Sequence, residues 1–401
     1  MPAEGVEEKL LRKIDSYRDE MLDFAKMLIA TPTENPPGSG YEGCASIISE
    51  KLQEIGFEKA RYGNCILAWY GTGKKAFYLH GHYDTVPAYG PEQFEPYVKD
   101  RRLYGRGSTD MKAGLAAIVY AAKAVKECEI QLGGRICLTI VPDEETAGTG
   151  GSNYLFGKKL LGRDGIGMVT PEFSSGAIWN ANRGAISLRL VVRGKAAHVG
   201  LHYQGVNAFE GMITAAEAFL ELKKEVERRT TGFEIQPEAA KRSILLVGGL
   251  VQGGKNFNVV PAECSFTLDR RINPEEDIEA EKERMMSVVE KLRKSGIDLR
   301  VEMIQEGWSA SSPQDSSVAR VLSESINRVE GKSLPFELCP GLLETRFYAV
   351  QGIPAYSYGP GLASVAHGPE EYVMVDDVIK CCKVYALTAT RLLAADDQNS
   401  R

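Results

Sequence analysis

Two histidines and a carboxylate close a short apolar run in the stretch Phe77–Asp84. On an extended chain, residues two apart share a face, so His82 and Asp84 are expected to point the same way. A metal-bound imidazole usually donates its other ring proton to a carboxylate. The pattern therefore predicts a strand that ends in a metal ligand, His82, followed by the carboxylate that orients it, Asp84. An isolated pair of this kind is more often structural, so the interpretation depends on the rest of the chain.

Acidic residues and another histidine follow other predicted strands and loops. The β-rich run Arg135–Val141 leads into Glu144 and Glu145, and a short strand at Gly167–Val169 leads into Glu172. In α/β folds, ligands collect beyond the carboxyl ends of parallel strands, so these side chains are expected to converge. The five candidate ligands at strand or loop ends are His82, Asp110, Glu145, Glu172 and His367.

Two imidazoles and three carboxylates suit a pair of divalent cations. Mixed nitrogen and oxygen ligation favours zinc, with cobalt or manganese possible on coordination grounds. Two cations about 3.5–4 Å apart can bind a shared hydroxide and polarise a carbonyl between them. Glu144, which is adjacent to a candidate ligand, is then free to take a proton. These residues predict a metal-dependent hydrolase.

The order of predicted elements indicates an α/β fold with two domains. An amphipathic pattern predicts one long helix over 6–29, and α/β units follow it. From residue 183 to residue 306 the order becomes β-α-β-β-α-β, which predicts an inserted ferredoxin-like domain. Residues 1–182 and 307–401 are expected to form a catalytic domain with a mixed sheet.

The composition excludes several classes of protein. A net charge of −6 without a dominant basic patch argues against a nucleic-acid partner. No window reaches about 18 uninterrupted apolar residues, so no membrane span is expected. The eight cysteines form no Cys-x-x-Cys pair, which indicates reduced, mostly buried thiols. We expect a cytoplasmic enzyme that does not bind membranes.

Four ordered motifs carry a resemblance to a known family. They are residues 81–87 (GHYDTVP), 105–114 (GRGSTDMKAG), 142–145 (PDEE) and 366–371 (AHGPEE). They closely resemble the M20 family of dinuclear metallohydrolases, which includes acetylornithine deacetylase, succinyl-diaminopimelate desuccinylase, aminoacylase-1 and glutamate-releasing carboxypeptidases. The resemblance covers nearly the whole chain and implies a zinc-exopeptidase-like catalytic domain with an inserted lid and dimerisation domain.

The resemblance also implies a role for each matching residue in the catalytic domain. His82, Asp110 and Glu172 would hold one metal ion, and Asp110, Glu145 and His367 would hold the other, with Asp110 bridging. Asp84 would lie behind His82. Glu144 would be the general base that activates the bridging water and later protonates the leaving nitrogen. A cis peptide bond after Asp110 is implied as well.

Further roles are implied for binding the substrate. His198, in the segment 194–198 (GKAAH), would support the developing oxyanion, commonly from the neighbouring subunit of a homodimer. Asn258 and Arg271 match positions that hold a free carboxylate, and Gly359 and Gly361 could add backbone donors. A carboxylate clamp of this kind implies an N-acyl amino acid or a short peptide as substrate.

Two departures from the family pattern bear on the substrate. Residues 343–346 read Leu-Glu-Thr-Arg where the family has a Thr-Asp-Ala-Arg segment, and Pro171 precedes Glu172 instead of following it. The leading hypothesis is hydrolysis of the amide bond of an N-acyl amino acid. A metallo-exopeptidase with the same site, either a dipeptidase or a carboxypeptidase, is the second hypothesis. A homologue that binds a ligand but has lost catalysis is the third.

Overall fold

The computed structural model describes residues 5–394, which form ten α-helices and sixteen β-strands. The helices are α1 (Val6–Ser16), α2 (Arg18–Ile29), α3 (Tyr41–Ile55), α4 (Lys112–Glu127), α5 (Ser152–Gly157), α6 (Ala208–Val226), α7 (Ile278–Lys294), α8 (Ser317–Glu330), α9 (Thr345–Ala349) and α10 (Val375–Leu392). The first eight strands are β1 (Glu58–Tyr62), β2 (Cys65–Tyr70), β3 (Lys75–His82), β4 (Tyr97–Lys99), β5 (Arg102–Tyr104), β6 (Gly134–Val141), β7 (Gly165–Thr170) and β8 (Ile178–Asn182). The others are β9 (Gly184–Arg193), β10 (Ile244–Gly253), β11 (Glu263–Ile272), β12 (Asp298–Gly307), β13 (Ala310–Ser311), β14 (Phe336–Cys339), β15 (Ala355–Ser357) and β16 (Tyr372–Met374).

A mixed nine-stranded sheet carries most of the ends where candidate ligands were predicted. Its order is β1-β2-β6-β3-β7-β15-β8-β13, with β14 beside β8. The four strands β6, β3, β7 and β15 run parallel to one another, whereas β1 and β2 are antiparallel additions at one edge. Parallel neighbours present their carboxyl ends at one edge of the sheet, and the predicted ligands lie there.

Helix α4 is the most deeply buried helix beside this sheet. Its sequence is rich in alanine, and nearly every one of its residues is buried. Small side chains allow close approach, and α4 packs against α2 and α10. Because α4 begins at Lys112, its burial fixes the loop that carries Asp110. The peptide bond between Asp110 and Met111 is cis, as expected.

The N-terminal helix differs from the prediction. The single helix expected over 6–29 is wrong, because the chain breaks at Tyr17 into α1 and α2. Tyr17 has φ −92° and ψ 4°, outside the α-helical region. Ile14, Tyr17 and Met21 are all buried, so the apolar periodicity continues through the break. Periodicity therefore could not reveal it.

The segment from β9 to β12 forms a separate antiparallel sheet. Its chain order is β9-α6-β10-β11-α7-β12, and its sheet order is β10-β11-β9-β12. Alternate residues of β11, including Phe266 and Leu268, are buried in a core with α6 and α7. The predicted fold class, a mixed central sheet with an added four-stranded βαββαβ sheet, is confirmed.

The chain divides into two compact units. The first comprises the described residues up to Asn180, Ser311–Glu337 and the residues from Glu344 onward. The second comprises Ala181–Ala310 and Leu338–Leu343. Between residues 5 and 394, no helix combines the length and the apolar character that crossing a bilayer requires.

Candidate metal centre

Three neighbouring strand ends bring together candidate ligands that are distant in sequence. His82 is the last residue of β3, and it is in register with Val141, the last residue of β6. The chain after β6 carries Glu144 and Glu145, and Glu172 lies two residues beyond the end of β7. The convergence predicted from the strand ends is thus present in the structure.

The five predicted ligands form two groups that share one carboxylate. In the first group, Nε2 of His82 lies 3.1 Å from Oδ1 of Asp110 and 3.0 Å from Oε1 of Glu172. In the second, Nε2 of His367 lies 2.9 Å from Oδ2 of Asp110 and 3.4 Å from Oε2 of Glu145. Within each group the ligand atoms lie within 4.8 Å of one another. This donor set, with nitrogen and oxygen on both sides of a shared carboxylate, fits two divalent cations.

The electrostatics of the metal-free groups show how strongly the imidazoles and carboxylates interact. Hydrogen bonds to Asp110 and Glu145 raise the pKa of His367 to about 11. Burial alone would raise the pKa of Asp110, but the two imidazoles lower it well below its usual range. Burial and the charge of Asp110 raise the pKa of Glu145 and of Glu172 to about 7. Protons and cations would therefore compete for these ligand atoms.

Asp84 connects His82 to the candidate base. Nδ1 of His82 lies 3.1 Å from the backbone oxygen of Asp84 and 3.3 Å from its Oδ1. The same carboxylate accepts the backbone N–H groups of Glu144 and Glu145, each at 3.1 Å. One buried side chain therefore orients an imidazole and also fixes the turn that carries a candidate ligand and the candidate base. The sequence suggested the first of these contacts and not the second.

Glu144 lies beside the two groups without belonging to either. Its Oε2 is 4.0 Å from Nε2 of His82, and its side chain is only 13% exposed. Burial, together with the nearby carboxylates of Glu172 and Glu344, raises the pKa of Glu144 well above its ordinary value. A carboxylate of raised pKa that binds no cation can accept a proton and return it.

Asn35 is a buried residue at this site that the sequence reasoning did not single out. Its Nδ2 donates to Oδ2 of Asp84 at 2.9 Å and to Oδ1 of Asp143 at 3.1 Å. Its Oδ1 accepts the hydroxyl of Thr146 at 3.2 Å. Asn35 thus supports the turn of residues 143–146 from the other side. An asparagine before two prolines was the signal that the sequence offered.

Residues 343–346, which differ from the family pattern, place Glu344 beside β3, the strand that ends at His82. Glu344 is hydrogen-bonded to Nε2 of His80, whose Nδ1 lies 3.0 Å from the hydroxyl of Tyr348. Ser152 also reaches His80, with its Oγ 3.2 Å from Nε2. These side chains are buried. His80 therefore has a structural role, and Glu344 is its hydrogen-bond partner.

The two predicted glycines lie against segments that carry candidate ligands. A Cβ at Gly359 would lie 2.0 Å from the backbone oxygen of Pro171, so only glycine allows the chain to pass there. Gly361 has φ +114°, and a Cβ there would lie 2.7 Å from Cγ2 of Thr109. Both positions require glycine for close approach, next to the segments that carry Glu172 and Asp110.

The other predicted substrate residues belong to the second unit. His198 is exposed and precedes the short 3₁₀ helix Val199–Gln204, and its Nδ1 accepts the N–H of Gly200 at 3.1 Å. The N–H of Val199 donates to the backbone oxygen of Asn258 at 3.0 Å, so the predicted histidine and asparagine lie close together.

Arg271, the remaining predicted substrate residue, is engaged within its own strand. Its Nε and Nη2 donate to the two carboxylate oxygens of Asp269, at 2.7 and 3.0 Å. The adjacent Arg270 is buried and pairs with Glu276 and Glu281. A substrate carboxylate at Arg271 would therefore compete with Asp269.

Two groups of candidate ligands lie at the carboxyl ends of parallel strands, and Glu144 lies beside them without belonging to either. This arrangement is typical of metal-dependent hydrolases with a two-metal site. Residues 78–391 match the model of peptidase family M20/M25/M40, and the chain belongs to that family. The resemblance read from the four motifs is thereby confirmed.

Solved structures share the fold across nearly the whole chain. The di-peptidase Dug1p from Saccharomyces cerevisiae superposes with a TM-score of 0.82 at 16% identity, over 97% of this chain and 99% of that one. The M20 family metallo-carboxypeptidase Sso-CP2 from Sulfolobus solfataricus gives 0.78 at 19%, over 92% and 98%. The YXEP protein of Bacillus subtilis, a dinuclear metal-binding peptidase of the M20 family, gives 0.65 at 16%, over 94% and 99%. At these identities the likeness establishes the fold.

Proposed function

We propose that this protein hydrolyses the amide bond of an N-acyl amino acid, with two divalent cations and with Glu144 as the general base. The observation that carries the proposal is the position of Glu144. It follows a strand end at the two donor groups, is largely buried, and contributes no atom to either group. Cations held by the two groups would supply Lewis-acid chemistry, by polarising a carbonyl and acidifying water. Zinc suits the mixed nitrogen and oxygen ligands best, and cobalt or manganese are the alternatives.

Residues of the first unit are assigned to cation binding, to positioning and to proton transfer. The cations would be held by His82, Glu172, Glu145, His367 and the shared Asp110. Asp84 keeps the His82 ring and the Glu144 backbone in place through the contacts described above. Glu144 takes a proton from water and delivers it to the leaving nitrogen. Its raised pKa makes Glu144 a stronger base toward water than an ordinary carboxylate.

The second unit is proposed to bind the substrate and to stabilise the negative charge that develops on the carbonyl oxygen. His198 is exposed and lies beside Asn258, so both can meet a ligand. We assign to His198 the oxyanion contact, in the neighbouring subunit of a homodimer, and to Asn258 and Arg271 the substrate carboxylate. Gly359 and Gly361 would add backbone donors. An arginine suits a planar carboxylate because its guanidinium binds both oxygens.

An exopeptidase acting on short peptides is the second candidate. It is favoured by the structural neighbours, which include a di-peptidase and a metallo-carboxypeptidase. Both candidates use the same cation ligands and the same base, and they differ only in the group on the far side of the scissile amide.

A substrate panel distinguishes the candidates. The metal-loaded protein is incubated with N-acetyl and N-succinyl amino acids and with di- and tripeptides, and the products are identified by mass spectrometry. Release of acetate or succinate supports the first candidate, and release of amino acids from peptides supports the second. If a protein that holds two cations per chain cleaves neither set, the proposal is wrong and a ligand-binding role is indicated. The Glu144→Gln variant is the control for contaminating hydrolases.

A further inference from the structure

A buried carboxylate that no step of the proposed reaction uses lies against the loop of Asp110. Glu371 is 1% exposed. Its Oε1 accepts the backbone N–H groups of Thr109 and Asp110, at 2.9 and 3.1 Å. Its Oε2 accepts the N–H of Gly107 at 3.1 Å and Nη1 of Arg106 at 2.6 Å. Three backbone N–H groups and one guanidinium therefore donate to a single side chain.

Arg106 extends this arrangement to the segments that carry the two histidines. Its side chain is also 1% exposed. Its Nη2 lies 3.3 Å from the backbone oxygen of His367 and 3.4 Å from that of Pro87, which follows the strand of His82. The Arg106–Glu371 pair thus contacts the Asp110 loop, the His367 loop and the chain beyond β3.

The same two loops are also joined by contacts that do not involve the pair. Strand β5, which precedes the Asp110 loop, pairs with β16, which follows Glu371. The hydroxyl of Thr109 donates to the backbone oxygen of Tyr372 at 2.6 Å. A variant of the pair can therefore keep the overall path of both loops while losing the contacts nearest to the ligands.

We propose that Glu371 and Arg106 are positioning residues that set the distance between Asp110 and His367 and so determine how tightly the second cation is held. Asp110 and His367 are 257 positions apart, and both lie on loops. No helix or strand fixes either side chain, yet Nε2 of His367 lies 2.9 Å from Oδ2 of Asp110. The buried pair supplies the missing constraint, because it holds the backbone of both residues. This inference rests on the metal centre of the proposed function.

The test compares cation binding in matched variants of the full chain. Glu371→Gln preserves size but presents an amide N–H₂ to groups that are themselves donors. Arg106→Lys preserves the charge but cannot reach both backbone oxygens. Supporting residues of a metal site typically change cation affinity about 10- to 100-fold when they are replaced. We expect a loss of that size in zinc affinity, measured by competition with a chromophoric chelator, and a changed visible spectrum of the cobalt-loaded chain.

Glu281→Gln is the control, because it breaks a comparably buried ion pair with Arg270 in the other unit. It should lower the melting temperature without changing zinc affinity. Wild-type zinc affinity and cobalt spectrum in both Glu371→Gln and Arg106→Lys would overturn the inference, whatever their melting temperatures. If Glu371→Gln does not fold, Arg106→Lys decides alone. A wild-type chain that binds no cation would remove the metal centre and the inference together, whereas one that binds two cations without hydrolysing the panel refutes only the proposed function.

Discussion

Replacing Glu144 with glutamine separates proton transfer from cation binding. The amide has the same size as the carboxylate, so the packing around this largely buried side chain is preserved. It cannot take a proton from water. Because Glu144 contributes no ligand atom to either donor group, the variant should still bind two cations per chain.

The expected loss of turnover follows from the two roles assigned to this side chain. A positioned acid or base contributes about 100- to 10,000-fold to a rate. Glu144 is proposed to serve as both, so we expect the upper end of that range. A loss of about 10,000-fold in kcat corresponds to about 5 kcal/mol of activation free energy. The Michaelis constant should change little, because no contact with bound substrate is assigned to Glu144.

The assay pairs steady-state kinetics with metal analysis of the same samples. Glu145→Gln is the matched control, because it changes the adjacent residue in the same way but removes a ligand from the second group. It should lose one cation per chain, whereas Glu144→Gln should lose none. Equal loss of metal in the two variants would show that base and ligand have been confused. Retention of more than about a tenth of the wild-type turnover by Glu144→Gln would refute its role as base.

Three further predictions follow from the contacts of individual carboxylates. Asp84→Asn should lower the free energy of unfolding by about 2–4 kcal/mol, since an amide cannot accept both N–H groups of the 144–145 turn; denaturant unfolding at wild-type stability would contradict this. In the metal-free chain, burial raises the pKa of Glu145 and Glu172 from 4.5 to about 7, so their contribution to stability is present below pH 4.5 and is lost as the pH rises through about 7. Unfolding in a chelator should therefore show falling stability from pH 5 to 8, and a steeper fall in the wild type than in Glu172→Gln; equal slopes would contradict the assignment. Asp269→Asn should release Arg271 and lower the Michaelis constant for carboxylate substrates by up to about fivefold, the most that a partly exposed pair is worth; an unchanged constant would argue against a substrate contact at Arg271.

The positions of the candidate ligands could be predicted because strand ends are local features of the sequence. Apolar runs that stop at a histidine or an acid place His82, Glu145 and Glu172 at the carboxyl ends of strands. Parallel pairing of β6, β3 and β7 then brings these ends to the same edge of the sheet. Strand β3 ends at His82, as the pattern predicts, although its apolar side chains stop at Leu79.

The contacts that support the ligands could not be predicted in the same way. Arg106 and Glu371 both lie in the motifs, but they are 265 positions apart, and the residue types do not reveal which groups they bind. Asp84 accepts the backbone N–H groups of residues 144 and 145. Because nearly every residue has such a group, the sequence does not show which ones Asp84 binds. Such contacts depend on how segments that are distant in sequence lie relative to one another. The sequence shows which segments carry the motifs, but it does not show which segments come into contact.

The distribution of charge favours a cation centre over an incidental group of acids. Three buried carboxylates lie close enough that Glu145 and Glu172 retain protons near pH 7, a state that costs free energy relative to ionised carboxylates in water. The two imidazoles aim Nε2 at different oxygens of Asp110, Oδ1 for His82 and Oδ2 for His367. Protons can satisfy such a cluster only in part, because each one blocks a donor atom. A cation on each side of Asp110 would replace the protons with positive charge and use every donor, so the same arrangement that weakens the metal-free protein stabilises the metal-loaded one.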